Sequence, residues 1–203
     1  LTVTTQGVIS FNSNWLPFAA YSQGNEFNAT YVTWNFRALP QFFDVQTYTG
    51  NGLVGHLIPH NLNSVPGMII VKKTSGIARW TVYHKVTGKD QYLVLNQTNA
   101  VGATAYWNNT EPTDTFFTVN NDEDVNGLDQ EYVAYLFAED TSDVVKCGGY
   151  TGSGSSQLID CGFEVQWVLL KSSSSSAGNW CIYDVKRGDK KRISPNADWA
   201  ESS

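Results

Sequence analysis

Asp122-Glu123-Asp124-Val125-Asn126-Gly127 sets oxygen-bearing side chains at alternate positions and a glycine at the sixth. That is how a calcium-binding loop opens, but such a loop closes on a bidentate Glu at its twelfth position. Here that position is Val133, and only a different geometry would bring in Asp129 or Glu131. The Ca2+ ligands the sequence offers are therefore Asp122, Asp124 and Asn126. The competing reading, an Asx-rich turn whose side chains bond their own backbone, is the stronger one. Glycan cleavage needs a spaced pair of carboxylates. The one run of three acids, 122–124, sits in a Gly- and Asn-rich turn region. His56, His60 and His84 have no partners that would make a Ser/His/Asp triad or a zinc site legible. No catalytic residue is assigned, and the chain reads as a non-enzyme.

Seven tryptophans raise a second chemistry, the stacking of aromatic faces on sugar rings. Trp80 and Trp180 occupy matching places in a repeat described below, and Trp34 matches Tyr135. Positions that are aromatic in both copies belong to a core. Trp107 and Trp199 are near loops and lack an aromatic counterpart, and Trp15 lies in the least regular segment. These three are the candidates for a carbohydrate or subunit contact, since interfaces are also enriched in Trp.

The surface that must carry such contacts is polar but weakly charged. Charged residues make up 16% of the 203 and the net charge is −6. The 13 Lys and Arg form no stripe, so nucleic acid is not an expected partner. The longest apolar stretch, 132–138, is too short to span a membrane, so no membrane insertion is expected. The chain opens on Leu1 without a visible signal peptide and reads as processed or as a piece of something longer. The odd count of three cysteines predicts free, buried thiols rather than a Cys147–Cys161 bridge.

The elements that position these residues repeat. Tyr48-Thr49-Gly50-Asn51-Gly52 returns as Tyr150-Thr151-Gly152-Ser153-Gly154. Ile69-Ile70-Val71-Lys72 returns as Val168-Leu169-Leu170-Lys171, and Trp80-Thr81-Val82-Tyr83 as Trp180-Cys181-Ile182-Tyr183. Tyr31-Val32-Thr33-Trp34-Asn35-Phe36 anticipates Tyr132-Val133-Ala134-Tyr135-Leu136-Phe137. The offsets fall between 99 and 102, a domain-sized period. The apolar signal has period two, interrupted by Gly, Asn, Asp and Pro turns, with no sustained helical spacing. The expected fold is all-β, with tandem jelly-roll or concanavalin A-like sandwich modules of about 100 residues and almost no helix. Residues 1–38 read as the end of a module, 39–139 as a complete one and 140–203 as the start of a second copy. The open copy would be completed by 1–38 or by a neighbouring subunit, with 31–36 pairing against the 140–203 half. Trp80 and Trp180 are expected on inner sandwich faces, and Tyr83 and Tyr183 nearer the outer ones.

Phe42-Phe43-Asp44-Val45, Ile58-Pro59-His60-Asn61-Leu62 and Val65-Pro66-Gly67-Met68-Ile69-Ile70-Val71-Lys72 carry a resemblance. So do residues 80–84, Glu111-Pro112-Thr113 and 132–139, and in the second copy Asp160-Cys161-Gly162-Phe163, 167–171 and 180–184. The chain resembles a repeated module of virion structural proteins of marine tailed bacteriophages, a group similar to concanavalin A-like lectin/glucanase sandwiches. The resemblance implies a tail-fibre, tail-associated or capsid-fibre protein located in the virion. Its partners would be other virion proteins and copies of itself, and it implies no catalytic residues. The alternative is a lectin-like module that binds host surface glycan.

Overall fold

The computed structural model describes residues 2–3, 9–10, 28, 33–174, 178–188, 190–198 and 201. The chain divides into two compact units, Leu1–Phe36 and Arg37–Ser203. In the first, β1 (Thr2–Val3) pairs antiparallel with β2 (Ile9–Ser10). Residues 33–36 are exposed and have no regular secondary structure, while 31–32 lie outside the described residues. All strand pairings described are antiparallel, and no helix occurs among the described residues.

The second unit is built on β3 (Phe43–Thr49), β4 (His56–Pro59), β5 (Pro66–Lys73), β6 (Trp80–His84), β7 (Leu93–Val94), β8 (Phe116–Val119) and β9 (Glu131–Ala138). A five-stranded sheet runs in the order β3-β9-β5-β6-β7, and β4 pairs with β8. Alternation decides which side chains meet. Tyr132, Ala134, Leu136 and Ala138 of β9 point to one face with Ile69, Val71 and Tyr83. That face packs on Ile58, Phe117 and Val119 of the β4-β8 pair and on Leu62, Trp107 and Val125. Two antiparallel sheets enclosing a core make this a β sandwich. β5 is apolar from Pro66 to Val71 because its other face is covered too: Met68, Ile70, Val82 and Phe137 pack with Cys147 and Trp180. Gly67 sits at a bulge where β5 passes β9. A Cβ there would come within 2.6 Å of Cys147 Cβ and 2.7 Å of Glu139 Cα, so only glycine fits.

Beyond the sandwich, β10 (Asp140–Thr141) pairs with β11 (Val145–Lys146), and β12 (Trp167–Leu170) with β13 (Cys181–Asp184). The β12–β13 hairpin is a copy of β5–β6 in register. Ile69↔Tyr83, Ile70↔Val82 and Val71↔Thr81 become Val168↔Tyr183, Leu169↔Ile182 and Leu170↔Cys181. Val82↔Leu93 becomes Ile182↔Ile193. The Trp80 N–H donates to Asn96 Oδ1 at 3.1 Å, and the Trp180 N–H to Asn196 Oδ1 at 2.9 Å. Lys85 N donates to Gly67 O as Val185 N does to Gln166 O. Residues 148–160 behave otherwise: they are exposed and form no strand, although Tyr150-Thr151-Gly152 repeats a stretch that ends β3.

The expected faces of the Trp–Tyr pair need correction. Tyr83, not Trp80, is on the inner face of the sandwich, 2% exposed, and Trp80 is half-buried on the outer face. Alternation puts Trp80 and Tyr83 on opposite faces, but it cannot say which of two buried faces is inner. Trp180 is buried too, but with Met68, Ile70 and Val82 of the outer face rather than on an inner one, and Tyr183 is half-buried. The three cysteines form no disulfide; Cys147 is buried, whereas Cys161 and Cys181 are half-buried.

Candidate functional site

The acidic turn is a latch within the sandwich. Asp122 caps its own turn, Oδ1 accepting from Asp124 N at 2.9 Å while its carbonyl accepts from Asn126 N at 2.7 Å. Asp124 faces another way, accepting from Tyr106 Oη at 3.0 Å and from Arg79 N at 3.2 Å. Asn126 is fully buried. Its Oδ1 accepts from Asn51 N and His56 Nδ1, both at 2.9 Å. Its Nδ2 donates to Asn51 Oδ1 at 3.1 Å and Leu53 O at 2.9 Å. The three side chains thus turn to three sets of protein partners, the pattern of an Asx turn. Among the described residues no group of three or more His, Cys, Asp or Glu is placed to hold a metal ion. The turn is pinned from below by two stacked tyrosines: Tyr48 Oη donates to Val125 O at 2.6 Å and Tyr132 Oη to Glu123 O at 2.7 Å. Gly50 lies against it so closely that a Cβ would stand 2.1 Å from Gly127 O.

Trp107 is a correction. It is 2% exposed, its ring edge-on to Tyr83 at 5.7 Å and its Nε1–H donated to Gln91 O at 3.1 Å. Proximity to loops suggested a surface residue, but the loop folds into the sandwich and carries the ring inside. Trp15 and Trp199 lie outside the described residues.

The histidines are structural as well. His60 is buried, its Nε2 on Thr113 O and its Nδ1 accepting from Leu62 N, and burial pushes its pKa below the usual value. His84 Nδ1 accepts from Val86 N at 3.2 Å, and burial lowers its pKa too. At the matching turn Asp184 Oδ1 accepts from Lys186 N and Arg187 N, with Arg187 Nε at 2.6 Å from Oδ2. His84 and Asp184 do one job, presenting an acceptor to the turn.

The arrangement with chemistry to spare is the second hairpin. Trp180 anchors it on the five-stranded sheet, 3% exposed, its Nε1–H donated to Val94 O at 2.8 Å. Val101 N donates to Ser173 O at 2.9 Å beside it. The opposite face is less covered. Val168, Leu170 and Tyr183 are half-buried, whereas their counterparts Ile69, Val71 and Tyr83 are at most 2% exposed. A shallow cavity of about 290 Å³ lies there, lined by Val165, Gln166, Val168, Tyr183 and Val185 among others. This half-covered apolar hairpin is the candidate interaction site. Sequence reasoning marked 140–203 as an open module and matched Val168, Leu170 and Tyr183 to the first copy, but assigned none of them to a site, because burial on one face only is invisible in an apolar run.

Residues 2–202 match the family described as Domain of unknown function (DUF7483). The chain belongs to this family. No curated protein and no solved structure matches it significantly. The DUF7483 match spans the sandwich and the second hairpin alike, so the half-covered hairpin is part of the family's own domain. No helix among the described residues is long and apolar enough to cross a membrane.

Proposed function

We propose that this DUF7483 protein is a non-enzymatic structural component of a bacteriophage particle, of tail-fibre, tail-associated or capsid-fibre type, that assembles with copies of itself and with other virion proteins. The observation that carries the assembly reading is the second hairpin, which keeps the register of β5–β6 but leaves Val168, Leu170 and Tyr183 half-covered. An apolar sheet face with a strand edge beside it calls for a partner. The bacteriophage assignment rests on the motif resemblance, which runs through both copies. The weakly charged, aromatic-rich composition fits a particle-borne β protein. Sedimentation of the purified chain tests the assembly reading: a defined oligomer supports it, and a monomer at all concentrations contradicts it.

The second reading, glycan binding, draws on one observation. Trp80 and Tyr135 lie half-buried on the outer sheet face, their rings parallel within 9° and 6.4 Å apart. Paired aromatic rings on a sheet face suit a sugar. Glycan-array binding abolished by Trp80→Ala would favour this reading over pure assembly.

A further inference from the structure

The first hairpin shows what covers a hairpin of this kind. On the side away from β6, β5 is paired by β9 over Met68↔Phe137, Ile69↔Leu136, Ile70↔Tyr135 and Val71↔Ala134. Just before β9 in the chain comes the turn of residues 122–127, which closes on Tyr48 and Gly50. A module end, turn plus strand, thus covers a module start. In the second copy the starting half is present, and no described strand of the Arg37–Ser203 unit pairs with residues 168–170 on the side away from β13.

The glycines carry the same signal independently. A Cβ on Gly50 would collide with Gly127 O, and one on Gly52 would stand 3.1 Å from Leu128 Cβ. Their counterparts Gly152 and Gly154 have nothing within 4 Å, yet Gly154 holds φ +73°, close to the +67° of Gly52. The second copy retains glycine at both positions where the first copy's module end makes close approach. Gly154 has its own φ as a reason to be glycine, but Gly152 has neither a positive φ nor a close neighbour; glycine there costs chain entropy, which fits a segment shaped for a cover that arrives from elsewhere.

We infer that the cover is the module end of a second copy of this chain, with residues 33–36 of that copy running antiparallel to β12. This rests on the assembly reading above and names its partner. The occupant follows from the repeat: apart from β9 itself, the sequence of this strand type in the chain is the one ending Thr33-Trp34-Asn35-Phe36, which matches Ala134-Tyr135-Leu136-Phe137. Transferring the β5–β9 register sets Leu170 opposite Thr33, Leu169 opposite Trp34 and Val168 opposite Asn35. Asn35 stands where Leu136 is fully buried, and a polar residue is tolerable there because the Val168 face is only half-covered. The interface is heterologous, end to start, so successive copies join into a ring or a filament.

Cysteine pairing tests this directly. Val71 turns its N–H and C=O toward β6, so Val71↔Ala134 is a non-hydrogen-bonded pair, the closer kind, with Cα atoms about 4.5 Å apart. Leu170→Cys with Thr33→Cys recreates that pair, and such a spacing permits a disulfide. The background carries Cys147→Ala, Cys161→Ser and Cys181→Ser. Under mild oxidation the expected product is a covalent dimer and higher multimers on a non-reducing gel, absent with either cysteine alone. A 33–170 bond within a single chain overturns the inference. So does an absence of cross-linking in a variant whose circular dichroism and melting match the parent. If the chain sediments as an oligomer yet does not cross-link, this docking fails while the assembly reading stands; a monomer contradicts both.

Discussion

The β5–β6 and β12–β13 hairpins share a register, an Asn cap at the Trp N–H and a polar acceptor at the following turn, yet they live in different surroundings. The first is buried on both faces and paired on both edges. The second is anchored by one face through Trp180 and half-covered on the other. Local structure therefore does not depend on full burial. Strand propensity, the turn acceptor and the cap set the hairpin; docking stabilises it, since a lone two-stranded hairpin is marginal in water. What distinguishes the copies is which elements follow them in the chain. The first is followed by β8 and β9, which close over it.

Each substitution below separates the copies further or joins them. The largest effect belongs to Trp107, the lid on Tyr83 in the first copy. Trp107→Ala should cost about 3–5 kcal/mol, read as a loss of stability in denaturant titration. An unchanged midpoint would mean the inner face does not depend on that ring. Trp180→Ala deletes a buried indole too, but its effect should be confined to the second hairpin. Limited proteolysis should cut within 165–190 sooner, while 43–138 stays resistant. Simultaneous loss of both regions would show that the copies unfold as one.

Asn126→Ala strands Asn51 N, His56 Nδ1 and Leu53 O near the fully buried end of the latch. A loss of roughly 2–4 kcal/mol is expected, given about 1–3 kcal/mol for each group left unsatisfied. No second closed latch occurs among the described residues, so exchange of amides 167–170 should be unaffected by this substitution.

The two turns also answer differently to acid. His84, like His60, has a folded pKa below its unfolded value of about 6.5, because burial disfavours the imidazolium. Their contribution is complete above that pH and declines as pH falls through about 6.5 toward the folded values. Asp184 is held below the usual carboxylate range by its hydrogen bond from Arg187. Its contribution persists above about 3.9 and is lost only below that. Melting followed at pH 8, 6 and 5 should fall, and His84→Asp should flatten the fall. A parent protein as stable at pH 5 as at pH 8 would contradict the histidine account.

The smallest expected change is Thr81→Val. Thr81 is fully buried on β6 and its hydroxyl has no partner among the described residues; the second copy places Cys181 there. Removing an unsatisfied hydroxyl should be neutral or slightly stabilising. A loss above about 1 kcal/mol, measured by denaturant titration, would point to an unrecognised partner.

The sequence carried much of this architecture, for identifiable reasons. Period-two alternation gave the strands and the absence of helix among the described residues, because a half-buried strand must alternate. The repeat located the second hairpin to the residue, and Asn96 and Asn196, which close matching blocks, prove to be the caps. Other features depend on tertiary contact and leave no local trace. Nothing near Trp107 says that its loop folds inward. Asn126 looked like a ligand because a saturated buried carboxamide and a metal-binding one have the same letter. Tyr150-Thr151-Gly152-Ser153-Gly154 repeats the stretch that ends β3, and nothing in the matching letters says that it forms no strand. That no further described strand pairs with residues 168–170 shows only in the structure.

The second hairpin is a half-covered copy of the first, and hydrogen exchange read at increasing protein concentration tests this most directly. Peptides covering 66–73 should be strongly protected throughout, whereas 165–172 should exchange quickly when dilute and gain protection as concentration rises. Equal, concentration-independent protection of the two segments would show that the second hairpin is already covered within a single chain.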